Sequence, residues 1–302
     1  MRNPGHGSRA GRAGRVALIA TLAWLMSSLA PAHQEPSKSL WELAELRRAS
    51  ERTARARHRR CVTWSYTVDG GTAGDERTKS IVMEFDRQGR LASSAAWKDG
   101  AEVERAEYSY DTSGNMLKEV DTAGTKKEST AFRLDAEGRV LDGATLEASG
   151  KQTESFEWLR TADHRHIEFI KRDAGGALQY RIFYEYSRSF DEADYATATK
   201  KGADGLVQQR VEQRHGASGV EGKLVFVDDA LVSELRYTRA PNGRIAEVVR
   251  LVAGKVESRT VYGFDAFGNI LEIRAFDTSN SLTSYARNEC ELYEESPPLH
   301  RP

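Results

Sequence analysis

A turn motif that returns about every 25 residues constrains this chain more than any other feature. Two aromatic or apolar residues, separated by a spacer, precede Asp-x-x-Gly-Arg/Asn and a further apolar residue. Clear copies are Phe85-Asp86-Arg87-Gln88-Gly89-Arg90-Leu91, Tyr108-Ser109-Tyr110-Asp111-Thr112-Ser113-Gly114-Asn115-Met116 and Phe132-Arg133-Leu134-Asp135-Ala136-Glu137-Gly138-Arg139-Val140. Tyr262-Gly263-Phe264-Asp265-Ala266-Phe267-Gly268-Asn269-Ile270 is as good, and Tyr237 to Ile245 keeps Gly243 with Ala240 in place of the aspartate. Degenerate copies fill the gap, so the Asp-equivalent positions run 86, 111, 135, 159, 187, 214, 240 and 265. A fixed period of this length marks a repeat architecture.

One unit can be read physically. The carboxylate of Asp86, Asp111, Asp135 or Asp265 can cap a turn, and Gly89, Gly114, Gly138, Gly243 and Gly268 supply the residue that tolerates positive φ. Alternate apolar residues before each turn share one face of a strand. A looser turn closes each unit, as at Asp99-Gly100 and Ala253-Gly254. The chain is therefore expected to be all-β: about eight antiparallel hairpin repeats, or 16 to 18 strands. Aromatics along one face cannot all stay wet. The sheet is thus expected to form a large curled sheet or a partly closed barrel.

The pattern resembles the YD repeat of the rearrangement-hotspot (RHS) family over residues 81–275. The resemblance implies a long, curling antiparallel sheet, often secreted or surface-associated. Large RHS proteins enclose a toxic C-terminal domain behind a proline- and DPxG-containing repeat. Nothing here matches that element, so the resemblance points to a short, free-standing relative without toxin cargo.

The N-terminus reads as a secretory leader. Arg2, Arg9, Arg12 and Arg15 precede a 15-residue apolar run, Val16 to Ala30, and Ala30-Pro31-Ala32 offers a cleavage site. No Cys follows the run, so a lipoprotein anchor is not expected. Taking 1–32 as signal peptide leaves 40 basic against 45 acidic residues. That mild acidity offers no footprint for nucleic acid. Residues 33–60 are expected to form an amphipathic basic helix or linker, opened by the capping box Ser39-Leu40-Trp41-Glu42. Residues 61–295 are expected to be the repeat domain and 296–302 a disordered tail. The overall polarity argues against a membrane barrel, whose outer face must be apolar. No transmembrane span is expected in the mature chain, and a periplasmic or secreted location is.

Cys61 and Cys290 are the only cysteines, and each lies one period outside the array. An oxidising compartment invites a bond between them. The ends of a flat sheet of this many strands would lie roughly 80 Å apart, at about 4.8 Å per strand. A Cys61–Cys290 disulfide therefore requires the sheet to close or coil back.

Little suggests chemistry. His164, His166 and Glu168 alternate on one strand and offer three potential zinc ligands. Ile167 and Phe169 point the other way, which places the trio on a solvated face instead. Each turn has one dependable Asp, fewer than calcium needs. There is no nucleophile elbow, phosphate loop or zinc-protease helix. Trp41, Trp64, Trp97 and Trp158 are candidates for sugar stacking or for packing. The expectation is an exported, non-catalytic structural or binding module with no cofactor and a protein or glycan partner. Two alternatives are an accessory of a secretion or toxin system and a metal-binding secreted enzyme using the histidine strand.

Overall fold

The structure, a computed structural model, describes residues 58–293 except 113–115, 123–125, 135–139, 162–165, 187–194, 217–218 and 242. It is all-β. Eighteen antiparallel strands follow in sequence order: β1 His58–Asp69, β2 Thr72–Phe85, β3 Leu91–Lys98, β4 Ala101–Tyr110, β5 Met116–Thr122, β6 Lys126–Leu134, β7 Val140–Glu147, β8 Gln152–Arg160 and β9 His166–Asp173. The second half is β10 Leu178–Glu185, β11 Thr197–Gly202, β12 Val207–Gly216, β13 Gly219–Val227, β14 Ala230–Arg239, β15 Ile245–Val252, β16 Lys255–Phe264, β17 Ile270–Phe276 and β18 Leu282–Leu292.

Each strand pairs with the next, and β1 also pairs with β18 over His58↔Leu292 to Tyr66↔Tyr285. The hydrogen-bond circuit thus passes through all 18 strands and returns to its start, giving an up-and-down barrel. Among the described strands this arrangement leaves no free sheet edge. The expected helix lies outside the described residues. The strands also begin before residue 61, since His58–Arg60 belong to β1 rather than to a helix or linker.

The turns explain the curvature. At Asp86, the backbone N–H donates to Arg90 O (2.8 Å), Gly89 N–H donates to Asp86 O (2.9 Å), and Gly89 has φ 77°. This is a type I turn followed by a left-handed residue that forms a bulge. A register shift sits beside the corner, between Glu84 and Phe85. The same occurs at Thr238/Arg239 and Gly263/Phe264. Such bulges raise the local twist and bend the strands, so the repeat supplies curvature at regular intervals around the wall.

The register divides the wall into two faces. Cross-strand partners share a face, which traces one inward ring from Trp158↔Phe169 through Phe169↔Ile182, Tyr184↔Ala198, Ala198↔Val211 and Val211↔Val225. These residues are all buried, and the contiguous core joins them to Val140, Ile167, Tyr186 and Tyr195. Phe156 lies edge-on to Trp158 at 5.3 Å, and Trp158 meets Phe169 at 4.6 Å. Aromatic pairs at these spacings add to the area they bury. The opposite part of the inward ring is more polar, with Thr260, Ser284, Ser65 and Thr63 buried beside Ala286 and Ile273. Thr260 and Ala286 keep only 2% and 1% exposure, so this part of the wall does not face an open water-filled lumen.

The outward face is charged in mid-strand. Arg172–Glu157, Arg181–Glu168, Arg214–Glu234 and Arg259–Glu247 are ion pairs on it. Two arginines, Arg236 foremost and Arg214, hold the Glu234 carboxyl below the usual range. A lipid-facing barrel needs an apolar belt there, so this wall suits water. Among the described residues no helix is long and apolar enough to cross a membrane.

Three inward tyrosines give the interior a pH signature. Burial, the main cause at each, pushes the Tyr110, Tyr180 and Tyr262 hydroxyls up to about 12. Below pH 10, the ordinary tyrosine value, both folded and unfolded chains keep these groups neutral. Above it the unfolded chain ionises while the barrel resists, so stability should fall between about pH 10 and about 12. Phenolate absorbance against pH, compared in native buffer and in denaturant, checks this. Three tyrosines that ionise near pH 10 in the folded chain would contradict the interior placement.

Candidate functional site

The turn residues are occupied locally. Asp86 Oδ1 accepts from the amides of Gln88 and Arg90 (both 2.9 Å), and its Oδ2 accepts from Arg90 Nε (2.7 Å). Asp265 Oδ1 likewise accepts from Phe267 and Asn269, and Oδ2 from Asn269 Nδ2. Carboxylates saturated in this way cap the turn and leave little coordination capacity for calcium. At Ala240 the same backbone bonds form with no carboxylate, and Gly243 keeps φ 79°. The glycine and the backbone thus carry the corner. Asp111 follows β4 and Tyr110 donates to Leu91 O (3.0 Å). Gly114, Asp135 and Gly138 lie outside the described residues.

Two of the degenerate copies do not sit where the 25-residue step puts them, and the third, at Ser187, lies outside the described residues. Leu159 lies within β8 and Arg214 within β12. The chain also uses the five-residue corner where the repeat does not call for it. Asp173 Oδ1 accepts from Gly175 and Ala177, and Asp277 Oδ1 from Ser279 and Ser281. The signal was present in Asp173-Ala174-Gly175-Gly176, at the other end of the barrel.

The histidine strand does not assemble a described metal site. His164 lies outside the described residues, and the His166 side chain is not described although its backbone pairs with Glu185 in β9 and β10. Glu168 bonds Arg181 at 3.1 Å on the outward face. Trp64 and Trp97 are outward but covered, Trp64 by the Arg77 guanidinium at 4.3 Å and Trp97 by Lys79 Nζ at 3.1 Å. These are cation–π contacts, and they occupy ring faces that a sugar would need.

Cys61 and Cys290 stand directly opposite each other in β1 and β18 and are joined by a disulfide, with Cα atoms 4.1 Å apart. The seam carries further bonds. Thr63 Oγ1 donates to Asn288 Oδ1 (2.6 Å), Asn288 Nδ2 to Ile270 O (2.7 Å) and Ser80 Oγ to Thr63 O (3.0 Å). Arg59 and Arg60 both reach Glu291 at 3.1 Å. His58 packs beside the disulfide, and burial lowers its pKa against the opposing pull of Asp265.

A concavity of about 570 Å³ crosses the outward face of β6 to β9. Its size lies within the range of small-ligand sites. Ala131, Ala144, Ser155 and Ile170 line it, and the ion pairs Arg133–Asp142 and Arg172–Glu157 border it. Its hydrogen-bonding side chains are two guanidinia, two carboxylates, the Ser155 hydroxyl and the Gln152 carboxamide, around a floor of small side chains. Gly143 shapes the wall behind it. A Cβ there would collide with both the Phe156 ring and Ala131 O, so only glycine lets Phe156 lie across the strand. Phe132 then meets Phe156 at 5.5 Å from the other side. Cross-strand pairing across four strands assembles this site, and no linear motif announces it.

No family model matches the chain, and no curated protein matches it. Among solved structures it is similar to a porin-like protein from Bacteroides uniformis ATCC 8492, with 8% identity, TM-score 0.41, and coverage of 78% of this chain and 98% of that one. A porin-like protein from Bacteroides vulgatus ATCC 8482 gives 9% identity and TM-score 0.38, covering 76% and 97%. The complex TcdB2-TccC3-Cdc42 gives 11% identity and TM-score 0.25, covering 70% of this chain and 13% of that one. None of these likenesses is close enough to assign a fold family.

Proposed function

We propose that this chain is an exported, non-catalytic β-barrel module that binds a protein or glycan partner at the periplasm or cell surface. The observation that carries the reading is the outward concavity over β6 to β9, with a small-residue floor and a rim of paired charges. Hydroxyl-rich and peptide ligands can exchange hydrogen bonds with guanidinium, carboxylate and serine groups of this kind. The basic leader, apolar run and small-residue cleavage site support export. The charged outer wall supports a water-facing rather than a lipid-facing barrel.

The test uses the whole mature chain over immobilised envelope glycans and surface-protein peptides, with Ala144→Trp as the comparison. The indole fills the cavity from an outward position. One ligand class should be retained by the wild type and weakened at least about tenfold by the variant, a loss of roughly 1.4 kcal/mol. A panel that retains neither protein, or both equally, removes the reading.

The alternative of an accessory to a secretion or toxin system rests on the YD-like corners, of which Asp86–Arg90 and Asp265–Asn269 are the fullest copies. Co-purification of the tagged chain with components of such a system from its own cells supports that alternative. Envelope glycan bound in their place supports the first reading.

A further inference from the structure

We propose that the seam between β1 and β18 is a redox-gated site for a soft divalent cation such as zinc, with His58, Cys61 and Cys290 as ligands. The Nδ1 or Nε2 atom of His58 and the two sulfurs all lie within 4.8 Å of one another. His58 Nδ1 is 3.7 Å from Cys61 Sγ. Two thiolates and an imidazole form a familiar zinc donor set, with water completing the tetrahedron.

Two features of the fold preorganise this trio. The first is the register. Cys61↔Cys290 is flanked by Arg60↔Glu291, Val62↔Glu289 and Thr63↔Asn288, so backbone pairing keeps the sulfurs opposed once their bond is cut. The second is Asp265. Its Oδ2 lies 4.0 Å from His58 Nε2, while its Oδ1 is held by two backbone amides of its own turn. A fixed carboxylate beside Nε2 favours the proton on that nitrogen and leaves the Nδ1 lone pair toward sulfur. At 4.0 Å the contact is electrostatic and not a hydrogen bond; in metal sites the hydrogen-bonded form of such a carboxylate–histidine pair orients the ring. The corner aspartate of the β16–β17 turn therefore reaches the seam as a positioning residue.

The gating follows from sulfur chemistry. A dithiol reductant gives two electrons and two protons to the Cys61–Cys290 bond and leaves as its own disulfide, and the protein holds two thiols. A zinc ion then takes both sulfurs as thiolates, and their two protons pass to water. The oxidised seam has no thiolate to offer, so it stays closed to the metal.

Zinc titration of the full chain, with a chromophoric chelator as competitor, tests this before and after reduction by a phosphine. The reduced chain should take one zinc per molecule and the oxidised chain none. His58→Ala should weaken binding by at least about tenfold, and Asp265→Asn by a smaller factor. Equal uptake by the oxidised chain, or unchanged affinity in His58→Ala, overturns the proposal. If reduction opens the barrel, circular dichroism becomes the deciding measurement. Zinc that restores the strand signal in the reduced wild type but not in His58→Ala supports the site, and zinc that restores neither overturns it.

Discussion

Replacing Cys61 and Cys290 together with serine is expected to lower the unfolding free energy by roughly 5 kcal/mol. The two residues are 229 apart in sequence. A cross-link across so long a loop removes a large share of the unfolded chain's freedom, and the entropy of closing it grows with the logarithm of its length. In the barrel it joins the first strand to the last, where no hairpin connects them. The side-chain bonds that remain across the seam beside the backbone ladder, Thr63 to Asn288 and Arg59 and Arg60 to Glu291, are noncovalent and in part exposed, and exposed ion pairs contribute little. Denaturant unfolding of the double variant beside the wild type measures the loss. A difference under about 1 kcal/mol would mean that β1 and β18 find each other without the cross-link, and that chain entropy is not what the bond opposes.

The second large effect separates neighbouring residues. Phe169→Ala is expected to cost about 3 to 5 kcal/mol, since it opens a cavity among buried aromatics. Phe169 is 4% exposed and contacts Phe156, Trp158 and Tyr180. Glu168→Ala, one residue away, removes the partly exposed outward pair with Arg181 and should cost about 1 kcal/mol or less. In a strand a step of one residue exchanges faces. Chemical denaturation of both variants therefore tests the inward–outward assignment of the β8 to β10 wall. Similar losses in the two would mean the register is wrong by one.

The strands and their corners were legible because their chemistry is local. Asp86 and Gly89 meet their partners within five residues, so the spacing in the chain reports the geometry directly. The same holds for Asp265 and Gly268. Legibility failed at two degenerate copies of the motif. Leu159 and Arg214, placed at corners by the period, lie in strands. The corner at Asp173–Ala177 belongs to the opposite rim. The period counts residues, but a strand ends where pairing ends, and bulges shift that point by one or two positions. The seam was half legible. Phase placed Cys61 and Cys290 at equivalent ends of the array but said nothing of His58 or Asp265 beside them. The concavity was not legible at all. Its lining comes from four strands, and Gly143 has no motif around it.

By itself the sequence determined the strand class, the alternation of faces and the aspartate–glycine corners, because each depends on residues a few positions apart. Which strand meets which across the seam, how the outward charges pair and where Asp265 comes to rest against His58 were decided by tertiary structure alone. The reason is that those contacts join side chains up to 232 positions apart. Their positions follow from the summed twist and bend of 18 strands rather than from any one segment.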